Sequence, residues 1–475
     1  MFSSFSALSG RGRAAAARLA AATTVSGLAL TGALVTAGTA VADSTPQQQG
    51  GATATIGGLK TYGAAVVHGE DGDEQISAGL FEMSVDNGGM LQTYCVDLHN
   101  PTQKDAKYQE TSWSGTSLVG NEDAGKIRWI LQNSYPQVND LAALADRAGA
   151  AGLTEQDAAA GTQVAIWRYS DGADVDAVDP AAEKLADYLE KSAQNLAEPE
   201  GSLTLDPPAV SGHPGERLGP VTVRTDADSV TVIPPADAAT SGVRVVDRDG
   251  RPVTSAVDGG QVFFEVPEDA LDGSAALSVQ ASTSVPVGRA FTSDSRSQTQ
   301  ILAGSSESTV SATATANWAA TGPVPALSAQ KNCAKNGVDI TAANEGDEAF
   351  TFRLMTFEHT IGAGESRTVT IPLQEDQPYD FTIQGPNGFE QRFTGVLDCE
   401  TQGEAGGDSV QTLSEPSPAL AGDTAAEGVN LAETGGSSAT PMIAGIAIVL
   451  LVIGGGVFLL VGKKEQHGTD ARHRM

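Results

Sequence analysis

Basic residues are scarce in this 475-residue chain. Its 28 lysines and arginines face 59 aspartates and glutamates, for a formal net charge of −31. A surface of that sign repels phosphate backbones, which excludes nucleic acid as a partner. Aromatics make up only 5 %, and the six histidines are scattered with no CxxC beside them, so neither a metal site nor a cofactor is expected. No Ser/His/Asp set or carboxylate pair can be placed as a hydrolase centre. Lysine is absent from 201–330, so Lys–Asn cross-links cannot form within that stretch. Cysteine is down to three: Cys95, Cys333 and Cys399. What is plentiful is glycine (54) and proline (22), within a chain that is 40 % hydrophobic. That balance suits many short strands and turns, in more than one domain.

The ends read as address labels, and both are net basic. Arg11, Arg13 and Arg18 precede an apolar run that ends in Ala40-Val41-Ala42 before Asp43. This predicts a signal peptide over 1–42, cut between Ala42 and Asp43 on the general secretory route; a retained anchor is the alternative. At the other end stand Leu431, Ala432, Glu433, Thr434 and Gly435, then an uncharged run from Met442 to Val461, then Lys463 and Lys464. The run is long enough to cross a bilayer as a helix, and the lysines would stay on the cytoplasmic side. Together the three parts resemble a Gram-positive sortase sorting signal, in the variant of some actinobacterial sortases, with Ala432 where Pro is usual. The resemblance implies sortase cleavage between Thr434 and Gly435 and transfer of the Thr434 carbonyl to a cell-wall peptidoglycan amine. The product would be exported, anchored on the extracellular face, and in the membrane only through the C-terminal helix before sorting. A permanent single-pass membrane protein is the alternative.

Between the ends the chain divides by pattern. Residues 53–200 read as an α+β domain. In it, Ile76–Val85 and Met90–Leu98 flank the turn signal Asp86-Asn87-Gly88-Gly89. Helices are predicted at 121–134, 139–149, 154–169 and 180–197, with Asn121 and Thr154 as N-caps. Short alternating runs over 203–322 predict a β-sandwich, and 328–400 a small β domain. Cys333 and Cys399 bracket that last unit. A disulfide between them would close a 66-residue loop, worth about 4 kcal/mol if unstrained; two free thiols are the alternative. Residues 401–430 read as a flexible stalk, and 431–475 as the sorting signal. The run Glu70-Asp71-Gly72-Asp73-Glu74 matches no complete calcium loop and reads as a solvated acidic turn.

Cys95 is then the odd cysteine, on a strand within Thr93-Tyr94-Cys95-Val96-Asp97. Three readings are open from the residues alone: a buried inert thiol, an intermolecular disulfide, or a reactive group. A cysteine protease using His99 or His68 is disfavoured, because Asp97 makes the surroundings acidic rather than electropositive. Further on, Gln163, Ile166 and Trp167 share one helical face at i, i+3 and i+4. Ile166 and Trp167 are core-type residues, so the glutamine is drawn inward with them.

A Tyr-Cys strand followed 68 residues later by Thr162-Gln163-Val164-Ala165-Ile166-Trp167 resembles the Thr-Gln-x-Ala-type thioester domain of Gram-positive surface adhesins. The run Ala124–Leu131 is similar to that family's first helix, and the resemblance spans roughly 53–200. It implies a bond between the Cys95 sulfur and the Gln163 side-chain carbonyl, formed with loss of ammonia. Tyr94 and Trp167 would wall the site against water, although ordinary core packing explains them equally well. An amine of an unidentified target, a lysine side chain for instance, would attack the Gln163 carbonyl and free the thiol. The event happens once per molecule, so the resemblance implies a reactive adhesin and not an enzyme. The rival is a passive structural or binding surface protein in which Cys95 is an inert thiol.

Overall fold

The computed structural model describes residues 50–399, apart from 70, 71, 296 and 356. The expected signal peptide, stalk, sorting signal and apolar run 442–461 lie outside the described residues. Among the described residues no helix is long and apolar enough to cross a membrane.

Two long strands open the fold: β1 (Thr53–Gly69) and β2 (Gly72–Val85), paired antiparallel along their length. The Asp86–Gly89 turn follows, with Asn87, Gly88 and Gly89 all at positive φ, as a tight reversal requires. It leads into β3 (Met90–Cys95), and β4 is Lys107–Thr111. β3 stops three residues short of the expected Leu98, although Val96 N–H still reaches the Thr299 carbonyl.

Four helices come next: α1 (Ala124–Asn133), α2 (Leu141–Ala148), α3 (Glu155–Ser170) and, after a short β5 (Val175–Ala177), α4 (Pro180–Ser192). Thr154 caps α3 in a reciprocal capping box with Asp157. Asn121 does not cap α1. The cap position is Asp123, and the Asn121 amide instead donates to the Tyr169 and Ser170 carbonyls, tying the start of α1 to the end of α3. Gly161 lets α3 approach α4 closely: a methyl group there would lie 2.4 Å from the Ala182 carbonyl oxygen.

The first sheet is completed from an unexpected place. Strands Ala290–Ser293 and Gln300–Ser305 lie side by side between β4 and β3. Since β1 pairs with both β2 and β4, six antiparallel strands close into a barrel, with β5 added on β1. The sandwich expected over 203–322 is thus interrupted: 290–305 belongs to the barrel. Its two sheets come from the chain on either side. One holds Leu203–Asp206, Arg217–Thr225, Arg244–Val246 and Gln261–Glu265. The other holds Ala209–Gly212, Val230–Ile233, Ser255–Ala256, Gly273–Ser284 and Glu307–Trp318. The physical reason for the misplacement is that alternation shows a strand and its buried face but not which sheet supplies its partner.

The junction is charged and dry. Glu110 on β4 is 2 % exposed and Arg289 is 6 % exposed. Arg289 Nε–H donates to Glu110 Oε1 at 3.0 Å, and its Nη1–H donates to Glu198 Oε1 and the Pro199 carbonyl, both at 3.0 Å. Glu110 also accepts from Ala52 N–H at 3.0 Å and from the N–H and hydroxyl of Ser202. This cluster ties the start of β1 to two of the chain crossings between barrel and sandwich, at 198–202 and at Arg289.

Two cores result. One is continuous from the barrel (Ile56, Met83, Leu91, Phe291) into the sandwich (Val221, Phe264). The other lies between barrel and helices and includes Tyr94, Cys95, Ile166 and Trp167. The third unit is all β and has its own core around Phe350, Phe352 and Ile340. In it Cys333 and Cys399 are joined as a disulfide, with Cα atoms 5.2 Å apart.

Candidate functional site

Cys95 ends β3, and the register explains why its backbone is available. β2 pairs with β3 no further than Phe81 opposite Thr93. On the other side Cys95 faces Gln300, and the bond from Val96 N–H to the Thr299 carbonyl makes this a non-hydrogen-bonded pair. The N–H and C=O of Cys95 therefore have no strand partner. Gln163, in the middle of α3, takes both. Cys95 N–H donates to Gln163 Oε1 at 2.9 Å, and Gln163 Nε2–H donates to the Cys95 carbonyl at 2.9 Å. The side-chain amide thus stands in for a missing strand. Cys95 is 2 % exposed and Gln163 fully buried, and a buried amide must have its donor and acceptor met.

The same register brings a second glutamine to the sulfur. Side chains of a non-hydrogen-bonded pair lie closest together. Gln300 Nε2–H donates to Cys95 Sγ at 3.4 Å, while its Oε1 accepts from the Thr93 hydroxyl at 2.9 Å. The Thr102 hydroxyl lies close enough to lower the thiol pKa. Sequence reasoning missed Gln300, because its strand was assigned to another domain. Its one sequence signal is a glutamine directly before the apolar run Ile301-Leu302-Ala303, where a polar residue must be satisfied in the core.

Burial dominates the electrostatics. It pushes the Cys95 thiol up to about 12, against the Gln300 and Thr102 donors, and Asp97 and Asp171 raise it further. At neutral pH only ~10⁻⁵ of such a group is thiolate. Asp97 is pushed up to about 6 by burial, even though it accepts from Thr299 N–H and the Ser117 hydroxyl, each at 2.9 Å. Asp171, the C-cap of α3, is pushed up to about 7 by burial, with Asp97 adding to the shift.

The other expected residues fall nearby. Tyr94 is buried, and its hydroxyl donates to the Tyr135 carbonyl at 2.9 Å. Thr162 is buried and donates to the Ala158 carbonyl at 2.7 Å. Ile166 is fully buried and Trp167 is 4 % exposed. His68 is occupied elsewhere, between Asp73 at 2.8 Å and Asp176 at 3.3 Å.

Chemically, the pair has a nucleophile, an amide carbon and a polarising donor in one dry place. The Cys95 N–H sits at Oε1, where negative charge gathers when a nucleophile adds to the side-chain carbonyl. No curated protein matches this chain. Among solved structures it is similar to the Bacillus anthracis TIE protein, at 15 % identity and a TM-score of 0.26, over 73 % of this chain and 64 % of that one. This chain therefore spans less than two thirds of that protein's length. The thioester domain of the Enterococcus faecium TIE86 protein is similar at 15 % identity and a TM-score of 0.26, over 59 % of this chain and 99 % of that one. Residues 323–396 match the family model described as the C-terminal domain of bacterial phospholipase C. Residues 92–195 match the family model described as thioester domain. Cys95 and Gln163 both lie within that last match, so the stretch that brings them together is similar to a thioester domain.

Proposed function

We propose that the protein is an exported surface adhesin that forms a Cys95–Gln163 thioester and uses it once to capture an amine covalently. The observation that carries this reading is the paired hydrogen bond between the Cys95 peptide and the Gln163 carboxamide, inside the stretch that matches the thioester-domain family. In forming the bond, Sγ adds to Gln163 Cδ, the C–N bond breaks and ammonia leaves. An amide is a poor electrophile, so the reaction depends on the two groups being held in place. Burial then keeps water from the product. In capture, a target amine adds to Cδ, the C–S bond breaks, an amide forms and the thiol is released. A lysine amine is mostly protonated at pH 7, so non-covalent docking first concentrates one of them at the site. Sortase joins Thr434 to peptidoglycan and holds the protein on the wall.

The rival is a passive surface protein with an inert thiol, and the high thiol pKa favours it. Intact mass decides between them. Fresh wild-type protein should be lighter by one ammonia once the Cys333–Cys399 disulfide is counted, and methylamine should add to it with release of one thiol. A full mass together with no methylamine uptake refutes the thioester. Anchoring is read separately: Thr434→Ala should shift the protein from the wall to the membrane fraction, and unchanged wall attachment refutes sortase processing.

A further inference from the structure

Capture breaks the Cδ–Sγ bond, and the electron pair of that bond leaves on the sulfur. Cys95 is shut off from water, so the charge has to be met by a donor of the protein itself. The free thiol and intact carboxamide of this structure are also the products of capture, save that one carboxamide hydrogen then gives way to the target's carbon. The contacts of Cys95 Sγ in this state are therefore those the departing sulfur comes to.

Gln300 supplies such a donor. Its Nε2–H reaches Sγ at 3.4 Å, and the residue is fully buried, so solvent does not compete for the bond. The ladder places it there. Gln300 stands directly opposite Cys95, and Thr93 lies two residues back along β3, on the same face. Thr93, also fully buried, donates its hydroxyl to Gln300 Oε1 at 2.9 Å. With the amide oxygen held, the nitrogen is turned to the sulfur.

This donor matters most at one stage of the exchange. A thioester sulfur carries little charge and accepts weakly, whereas a departing thiolate accepts strongly. An interaction that strengthens towards the transition state lowers the barrier. Among the groups around the thiol, Gln300 does most to favour the ionised form against the cost of burial.

We propose that Gln300 holds the Cys95 sulfur as the Cδ–Sγ bond breaks and that Thr93 positions it for this. The proposal rests on the thioester reading and gives the exchange a second donor, beside the Cys95 N–H at Gln163 Oε1. The lone pair of a neutral amine bonds to Gln163 Cδ, and the Cδ–Sγ pair leaves on the sulfur. One hydrogen of the amine passes to the sulfur as a proton, giving the thiol, and the amide nitrogen keeps the other. Gln300 gives up no hydrogen. Capture of ammonia is the formation of the thioester in reverse, so the same donor serves both directions.

Amine capture by the whole purified protein, timed by intact mass, tests this. Gln300→Met keeps the length of the side chain and removes the donor. Its thioester should take up methylamine ~30-fold more slowly, less than the ~10²–10³ lost with a donor to an oxyanion, because sulfur is the weaker acceptor. Across a series of primary amines its rates should also depend more steeply on amine basicity than those of the wild type, since expulsion of an unaided sulfur becomes the slow step. Thr93→Val should move rate and slope in the same direction by a smaller factor, and Thr93→Ser should restore both. A wild-type rate in Gln300→Met overturns the proposal. So does a uniform slowing with an unchanged slope, which is what a packing defect gives. If Gln300→Met has its full mass, Thr93→Val decides by the same two criteria. Failure of the underlying thioester looks different: the untreated wild type then has its full mass.

Discussion

Gln163→Ala is expected to abolish amine capture outright and to restore the full mass of the protein. No other side chain bonds the Cys95 peptide from α3, so the carbonyl that would hold the thioester is gone. The variant should also be less stable. It leaves the Cys95 N–H and C=O without their partner in a closed site, at about 1–3 kcal/mol for each buried group left unmet. Cys95→Ser separates chemistry from folding. It keeps the peptide, and so both bonds to Gln163, and removes only the sulfur. It should show the full mass and no capture with a denaturation midpoint near that of the wild type. If Gln163→Ala still takes up methylamine, Gln163 is not the acyl donor, and Gln300, bonded to the same sulfur, becomes the residue to test.

Arg289→Met is expected to cost about 3 kcal/mol, at the low end of what is seen when one member of a buried ion pair is removed. The low end applies because Glu110 keeps its bonds to Ala52 and Ser202 when the guanidinium goes. What remains is a carboxylate that is 2 % exposed and has lost its cation. Adding Glu110→Gln should recover a good part of the loss, because the stranded charge is then neutral. Urea midpoints for the two single variants and the double variant measure the coupling. Strict additivity would mean the pair does not act as a unit. The location makes the effect global, since the cluster ties two of the crossings between barrel and sandwich.

Much of the helical part was legible in the sequence, because its signals are local. Thr154 with Asp157 announces the start of α3, and the Gly88-Gly89 turn fixes the β2–β3 hairpin. The capping role of Asn121 was misread, because a side chain two residues before the cap position has other carbonyls within reach, and here they belong to α3. The closure of the barrel was not legible. Ala290–Ser293 and Gln300–Ser305 alternate like the sandwich strands around them, and only three-dimensional pairing sends them back to β3 and β4. The site divides in the same way. The pairing of Cys95 with Gln163 was reached through a motif, whereas the approach of Gln300 to the sulfur depends on a contact across 205 residues.

The route of the chain through the barrel has a mechanical consequence. A molecule bound at Gln163 and pulled from beyond residue 399 carries tension through strand Gln300–Ser305, which is wedged between β3 and Ala290–Ser293. That strand passes almost directly into Glu307–Trp318, whose twelve residues are laddered to Gly273–Ser284. The load enters Glu307–Trp318 at one end and leaves at the other, so the ladder is sheared along its length instead of being unzipped bond by bond. The strand bearing that force is also the one whose glutamine touches the thiol, so a pull strong enough to shift it would be felt at the sulfur.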